Sequence, residues 1–441
     1  MNNCLFGIKT GTERIIGIFM MTLIVLTSST GVIAQQVYND QVFEENIQSV
    51  RIFPASSDFS TQMNSPVIAL NAPSGLVLHF DDIAYDAELY SAKIIHCNVD
   101  WTKSQLREAD YLTQFNEFNI QDYAYSIDTR IPYIHYTFQV PRVSKTGNYI
   151  IKVYRGRDES QTVFTKKFMV FQNQLGVGAA VVPPSKTLDR MTSQQIEVTI
   201  NYSNRELLDP ANNTKVVIRQ NQRWDNAIFG LKPTMIREDT RQIQYKLFDG
   251  SNVFQAGNEF RFVDLRFVRA RGRNISSVKM EEDVVFAEAG MDESRKGQGY
   301  LEYLDLNGQF GVLNAERQNF ELESEYVLVT LNLKSNELPQ APYVLGALTN
   351  WGANPDAQMV FNPEFGGYQT TLFLKQGWYD YQYGLPTEEG FDMEPFEGTH
   401  FQTENEYEVF FYYRDMGSRY DELIGYTVLN PNKRRIGNNA P

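Results

Sequence analysis

Cysteine is nearly missing from this 441-residue chain, which has only Cys4 and Cys97. Cys4 falls in an N-terminal segment that reads as a leader, so after cleavage Cys97 stands alone and no internal disulfide can form, even in an oxidising compartment. Stability must therefore come from packing. Histidine is as scarce: His79, His96, His135 and His400 are widely spaced and form no metal-ligand pattern. A basic excess is lacking too, with 40 Lys and Arg against 54 Asp and Glu. Such a surface repels phosphate backbones, so no nucleic acid partner is expected. Beyond residue 34 no apolar run approaches the roughly 20 residues that span a bilayer, so no membrane span is expected in the mature chain.

Catalytic motifs are also missing. The chain has no G-x-S-x-G elbow, no H-E-x-x-H zinc helix and no P-loop. Cys97 sits beside His96, but neighbouring strand residues point to opposite faces, which favours a small buried thiol over a nucleophile. The pairs Asp81-Asp82, Glu281-Glu282 and Glu388-Glu389 follow from an acidic composition, and glycosidase chemistry would need two carboxylates roughly 5–10 Å apart in a cleft. Asp305, Asn307 and Gly308 resemble part of a calcium loop, yet Tyr303 stands where another ligand belongs, and a hairpin is the expected structure. No catalytic, metal or cofactor residue is assigned, and the partner-binding residues are left open.

What is present begins with Lys9 and Arg14, the apolar run 15–26, polar residues 27–30 and the small-residue exit Val32-Ile33-Ala34. This is the layout of a secretory signal peptide, residues 1–34, so the mature protein is expected beyond the inner membrane. The remaining chain is rich in rings, with 25 Tyr and 29 Phe overall, as half-buried strand faces are. Period-two alternation dominates and places Leu76, Leu78 and Phe80 on one face, Ile196, Val198 and Ile200 on another, and Val327, Val329, Leu331 and Leu333 on a third.

Asn307-Gly308 and Asp249-Gly250 read as tight hairpin turns, and Asp100 reads as the cap of a short helix over 102–110. Residues 174–184, rich in Gly and Ala and ending in Pro183-Pro184, read as a linker. The expected fold is all-β: about three tandem immunoglobulin-like or early-set β-sandwich domains, at 35–175, 176–320 and 321–441.

Within the last of these, Gly346, Asn350 and Trp351 followed by Gly377, Tyr379, Tyr381 and Tyr383 resemble the early-set sandwich of glycogen-binding modules. That family stacks a pair of exposed Trp rings on sugar. Trp351 matches one, and residues 384–390 offer no second, so the resemblance implies the fold, with Trp351 expected in packing.

A longer resemblance covers essentially the whole mature chain. It rests on segments 96–101 (His96, Cys97, Trp101), 111–117, 132–136, 147–149, 258–266, 346–352, 400–407 and 412–421, the last containing Arg414, Arg419 and Asp421. Together they resemble the Plug protein family of the type IX secretion system. The resemblance implies a non-enzymatic periplasmic protein, peripherally associated with the outer membrane. It would dock on the periplasmic mouth of the SprA-type translocon barrel and plug it. Arg414 and Arg419 could belong to a docking face or could brace the C-terminal sandwich through Asp415 or Asp421. The alternatives are a periplasmic or surface carbohydrate-binding β-sandwich protein and a hydrolase with carboxylates assembled across domains.

Overall fold

Alternating apolar residues make strands throughout the chain, and the computed structural model is nearly all β, with helices of a single turn. It describes residues 38–430 except 57 and 353, so the signal peptide expected at 1–34 lies outside the described residues.

The N-terminal part of the chain makes two sheets. One runs in the order Gln41–Val42, Thr162–Phe171, Gly147–Arg155, Tyr90–Cys97, Phe118–Ile120, with Val67–Ala69 parallel to Thr162–Phe171. The other runs Ile47–Pro54, Leu76–Asp82, Ile134–Gln139, Asp122–Tyr125. Leu76, Leu78 and Phe80 point between these sheets, as their alternation predicts, and meet Tyr90, Tyr136, Ile151 and Phe164 in one core.

In the next sandwich one sheet is Gly176–Val182, Ser193–Asn201, Gln242–Tyr245 and Met235–Arg237, with Val253–Gln255 beside it. Its facing sheet is Thr214–Gln220, Tyr407–Tyr413 and Glu422–Leu429. The pairing Thr214↔Tyr413 through Gln220↔Tyr407 crosses the boundary drawn at 320/321. The core mixes Ile196, Val198 and Ile200 with Tyr407, Val409, Phe411 and Ile424.

Between these two parts of the chain lies a third set of sheets. One is Ile275–Met280, Val285–Asp292, Tyr326–Lys334, Gly367–Lys375 and Val360–Asn362. The other is built on the long strand Gly377–Thr387, flanked by Arg261–Asp264, Phe310–Val312, Tyr343–Leu345 and Gly390–Asp392. Their core holds Val327, Val329, Leu331 and Leu333 against Val263, Val285, Tyr381 and Tyr383. The chain thus enters this sandwich near residue 258 and returns near 400 to finish the middle one.

Several local expectations change. Residues 174–184 are no linker: Gly176–Val182 pairs in continuous register with Ser193–Asn201, and its alternate residues Val177, Ala179 and Val181 pack on the core. Asn307 and Gly308 do turn, with φ of 53° and 79°, but residues 300–306 form no strand, and Phe310–Val312 pairs with Gly377–Thr387 instead. Asp249-Gly250 joins two short strands that both pair with Ser193–Asn201 rather than with each other. The helix expected over 102–110 is one turn, Glu108–Tyr111, and the Asp100 carboxylate accepts from the Thr102 N–H at 3.1 Å outside it.

A fourth cluster joins the first and middle sandwiches: Val67, Ile95, Cys97, Ile150 and Met169 pack on Val217, Phe410, Tyr412 and Leu423. Phe410 is fully buried there, so Phe410→Ala is expected to cost about 3–5 kcal/mol. Urea unfolding of the full mature chain checks this as a lower midpoint with unchanged slope.

Candidate functional site

The strand Leu76–Asp82 sends Leu76, Leu78 and Phe80 into its own core, so His79 and Asp81 must face the other way. Asp81 is nevertheless 0% exposed, because the third sandwich lies over that face. Lys375, at the end of Gly367–Lys375, places its Nζ 2.6 Å from Asp81 Oδ2 and 2.7 Å from the Glu321 carbonyl. The Tyr326 hydroxyl donates to the same Asp81 oxygen at 2.7 Å. On the neighbouring strand His135 sits directly opposite Asp81, with Nδ1 2.6 Å from Asp81 Oδ1 and Nε2 3.0 Å from His79 Nδ1. Arg51 completes the group, bonding Glu321 Oε2 at 2.8 Å and Gln62 Oε1 at 2.6 Å.

Burial works against the charge on Asp81, but Lys375 and His135 outweigh it and hold the carboxyl below its ordinary range. Burial likewise opposes the charge of Glu321, and Arg51, His79, His135 and Lys375 together hold it well below the usual value. Burial lowers Lys375, partly offset by Asp81 and Glu321. The pair stays ionised because each charge is the other's main compensation in a dry seam.

Donor atoms of His79, His135 and Glu321 lie within 4.8 Å of one another, so two of the four scattered histidines do meet. Arg51 and Lys375 already supply the positive charge that the carboxylates need, and the two imidazoles bond each other. That donor set does not suit a metal ion. It suits a brace between sandwiches. Sequence reasoning missed Arg51, Glu321 and Lys375; the available signal was Val77 and Asp81 on the outward face of an otherwise apolar strand, which implies that both faces are covered.

The remaining candidates fall elsewhere. His96 and Cys97 diverge from the strand Tyr90–Cys97 as expected: His96 bonds Ser104 Oγ at 2.9 Å and the Thr146 carbonyl at 3.2 Å, while Cys97 lies in the cluster with Phe410. Burial pushes the Cys97 thiol up to about 12, which leaves it a packed apolar group. His400 stacks obliquely near Tyr300 where the chain leaves the third sandwich. Asp82 accepts from Tyr90 at 2.8 Å. Trp351 is half-buried, with the Arg223 guanidinium 4.3 Å over its ring and Phe260 at its edge. Arg414 bonds Asp421 at 2.9 Å and Asn98 at 2.7 Å, and Arg419 reaches Asp110 at 2.9 Å. Both arginines tie the C-terminal strands to the first sandwich.

This is a protein of interlocked β-sandwiches, with buried ion pairs between the first and third and an apolar cluster between the first and middle. Residues 47–172 match the type 9 secretion system plug protein 1st domain, which bears out the family resemblance over that segment and associates the chain with type IX secretion and the cell envelope. A crystal structure of a hypothetical protein from Parabacteroides merdae ATCC 43184 is 29% identical and superposes with a TM-score of 0.83, covering 90% of this chain and 100% of that one. No curated protein matches. Among the described residues no helix is long and apolar enough to cross a membrane.

Stranding one member of a buried pair is costly, so Lys375→Met is expected to destabilise by about 3–5 kcal/mol. Asp81→Asn combined with Lys375→Met should recover part of that loss, as measured by denaturant unfolding of both variants. A second expectation concerns pH. Burial lowers His96 to about 4, while the unfolded imidazole titrates near its model value of 6.5. Its contribution therefore weakens folding as pH falls from 6.5 to about 4 and is absent above that window, a penalty of about 3 kcal/mol at the acid end. Histidine-selective NMR should show one imidazole that stays neutral down to about 4.

Proposed function

We propose that the protein is a non-enzymatic part of the type IX secretion machinery that docks on the periplasmic mouth of a SprA-type outer-membrane barrel and occludes it. The observation that carries this reading is the match of residues 47–172 to the plug protein's first domain. The mechanics support it. An occluding part has to resist deformation, and here buried ion pairs join the first sandwich to the third while an apolar cluster joins the first to the middle one. Sliding the seam between the first and third sandwiches would strand a charge in a dry contact.

The first sandwich also supplies a contact surface. Tyr85, Leu89 and Phe115 are 81%, 76% and 79% exposed, and Tyr123, Tyr125 and Ile127 project from or beside the edge strand Asp122–Tyr125. Exposed rings of this kind are the residues that anchor protein interfaces. An unpaired strand edge adds backbone donors and acceptors for a partner strand. We therefore assign the docking role to the first sandwich, with the other two as its rigid backing.

The test is to recover tagged protein from the native envelope in mild detergent and identify what accompanies it. The barrel is expected to co-purify with the unaltered protein, and Tyr85→Ser combined with Phe115→Ser is expected to reduce its recovery at least tenfold while leaving the unfolding midpoint unchanged. Recovery of the protein alone, from an extract in which the barrel is intact, would overturn the docking role.

A further inference from the structure

The chain crosses between the middle and third sandwiches twice, at 256–260 and 397–404, and the two crossings lie side by side. His400 N–H donates to the Gly257 carbonyl at 2.8 Å, and the Gly257 N–H donates to Thr399 Oγ1 at 3.0 Å. Three carboxylates gather at this double crossing. Glu259 comes from the outgoing segment, Glu404 from the returning one, and Asp305 from the turn that carries Asn307 and Gly308. One oxygen from each lies within 4.8 Å of the others. Two oxygens bound to one calcium ion at 2.3–2.6 Å can be at most about 5 Å apart, and the three carboxylates meet that limit pairwise.

Hydrogen bonding within the cluster leaves vacant acceptors. Glu259 is 0% exposed; its Oε1 accepts from the Tyr300 hydroxyl and from the Glu404 N–H at 3.1 Å, its carboxyl meets that of Asp305, and no N–H donates to its Oε2. A buried carboxylate oxygen without a donor is expensive, and native structures seldom keep one. Two more such atoms belong to this place. Asn307 donates its Nδ2 to Glu404 Oε2 at 3.2 Å, Asn430 donates to Glu404 Oε1, and each leaves its Oδ1 buried and unpartnered. Three of the eight buried, unpartnered side-chain atoms of the described residues are thus oxygens of this one cluster and its amides.

Positive charge is what the cluster lacks. Asp380 stands behind the turn, its carboxylate held by the N–H groups of Leu306 and Gly308 and by Trp378 Nε1 at 2.8 Å. The Arg295 guanidinium reaches only the backbone carbonyl of Glu259 and is otherwise committed to Glu397 and Tyr303. The seam at Asp81 is the contrast: its carboxylates already hold Lys375 and Arg51.

We propose that Glu259, Asp305 and Glu404 bind one divalent cation of the calcium type, with the Asn307 and Asn430 amide oxygens available to complete its shell. The donors are all oxygen, with three carboxylates, and hard ions of flexible coordination suit such a set. Rotating either amide by a half-turn exchanges its Nδ2 for its Oδ1 and turns a donor to Glu404 into a ligand. Half-exposed Glu404 and Asn430 leave a way in from solvent. The bound ion would pin both crossings and the end of the last strand together, closing the third seam as the ion pairs close the first. This assignment is independent of any role in secretion.

The test uses the full mature chain, stripped with EDTA, dialysed and titrated calorimetrically with calcium chloride. One ion per chain is expected, with a dissociation constant between about 10⁻⁶ and 10⁻³ M. The melting temperature should rise with calcium concentration, because only the folded chain brings the three carboxylates together. Glu404→Gln should weaken binding at least tenfold and remove the calcium-dependent shift, whereas Glu388→Gln, at an exposed carboxylate outside the cluster, should change neither. Absence of both heat and melting shift in the unaltered protein at millimolar calcium would overturn the assignment, as would unaltered affinity in folded Glu404→Gln.

Discussion

Asp81 and Lys375 meet at 2.6 Å with neither side chain exposed to solvent. They belong to different sandwiches, and neither charge has another full compensation. Separating the sandwiches would return both to water only if the whole seam opened; a partial slip would leave them charged and dry. The contact therefore sets the relation of the first sandwich to the third in an all-or-none way. Around it, Arg51 with Glu321, Tyr133 with the Glu321 carbonyl, and Arg130 with Glu325 extend the same seam. Buried pairs of this kind contribute little net stability but give a well-defined geometry, which is the property that a rigid occluding body would use.

The other seams follow different physics. Between the first and middle sandwiches the contact is mostly apolar, with Ile95, Ile150 and Met169 against Val217, Phe410 and Tyr412. Lys167 lies over Trp101 at 4.6 Å and Arg219 over Trp224 at 4.5 Å, so even here the cations that enter are covered by rings. Between the middle and third sandwiches the chain itself makes the joint, and there acidic groups dominate. An apolar seam, a paired-ion seam and a carboxylate seam in one body resist different perturbations, since salt, acid and chelators act on each to a different degree.

Much of the fold was legible in the residues. The alternations at 76–80, 196–200 and 327–333 placed the right side chains in three separate cores, because a strand's side-chain period is a local property. His96 and Cys97 diverge as adjacent strand residues must. The linker expected at 174–184 failed because glycine and alanine are ambiguous between a loop and an edge strand, and only the presence of Ser193–Asn201 beside them resolves it. The hairpin expected at Asn307-Gly308 failed because the turn's dihedral angles are local while the pairing of its flanks is not.

The sequence by itself determined an all-β chain, its three sets of inward residues and its likeness to the plug family. Only the tertiary structure decided that strands 407–429 close the sheet begun at 214, that His79 and His135 meet, and that Glu259, Asp305 and Glu404 converge. The reason is range. Side-chain alternation and turn dihedrals are set by neighbours in the chain, whereas sheet partners and buried charges are selected by which distant faces can be covered without leaving a polar group unpaired.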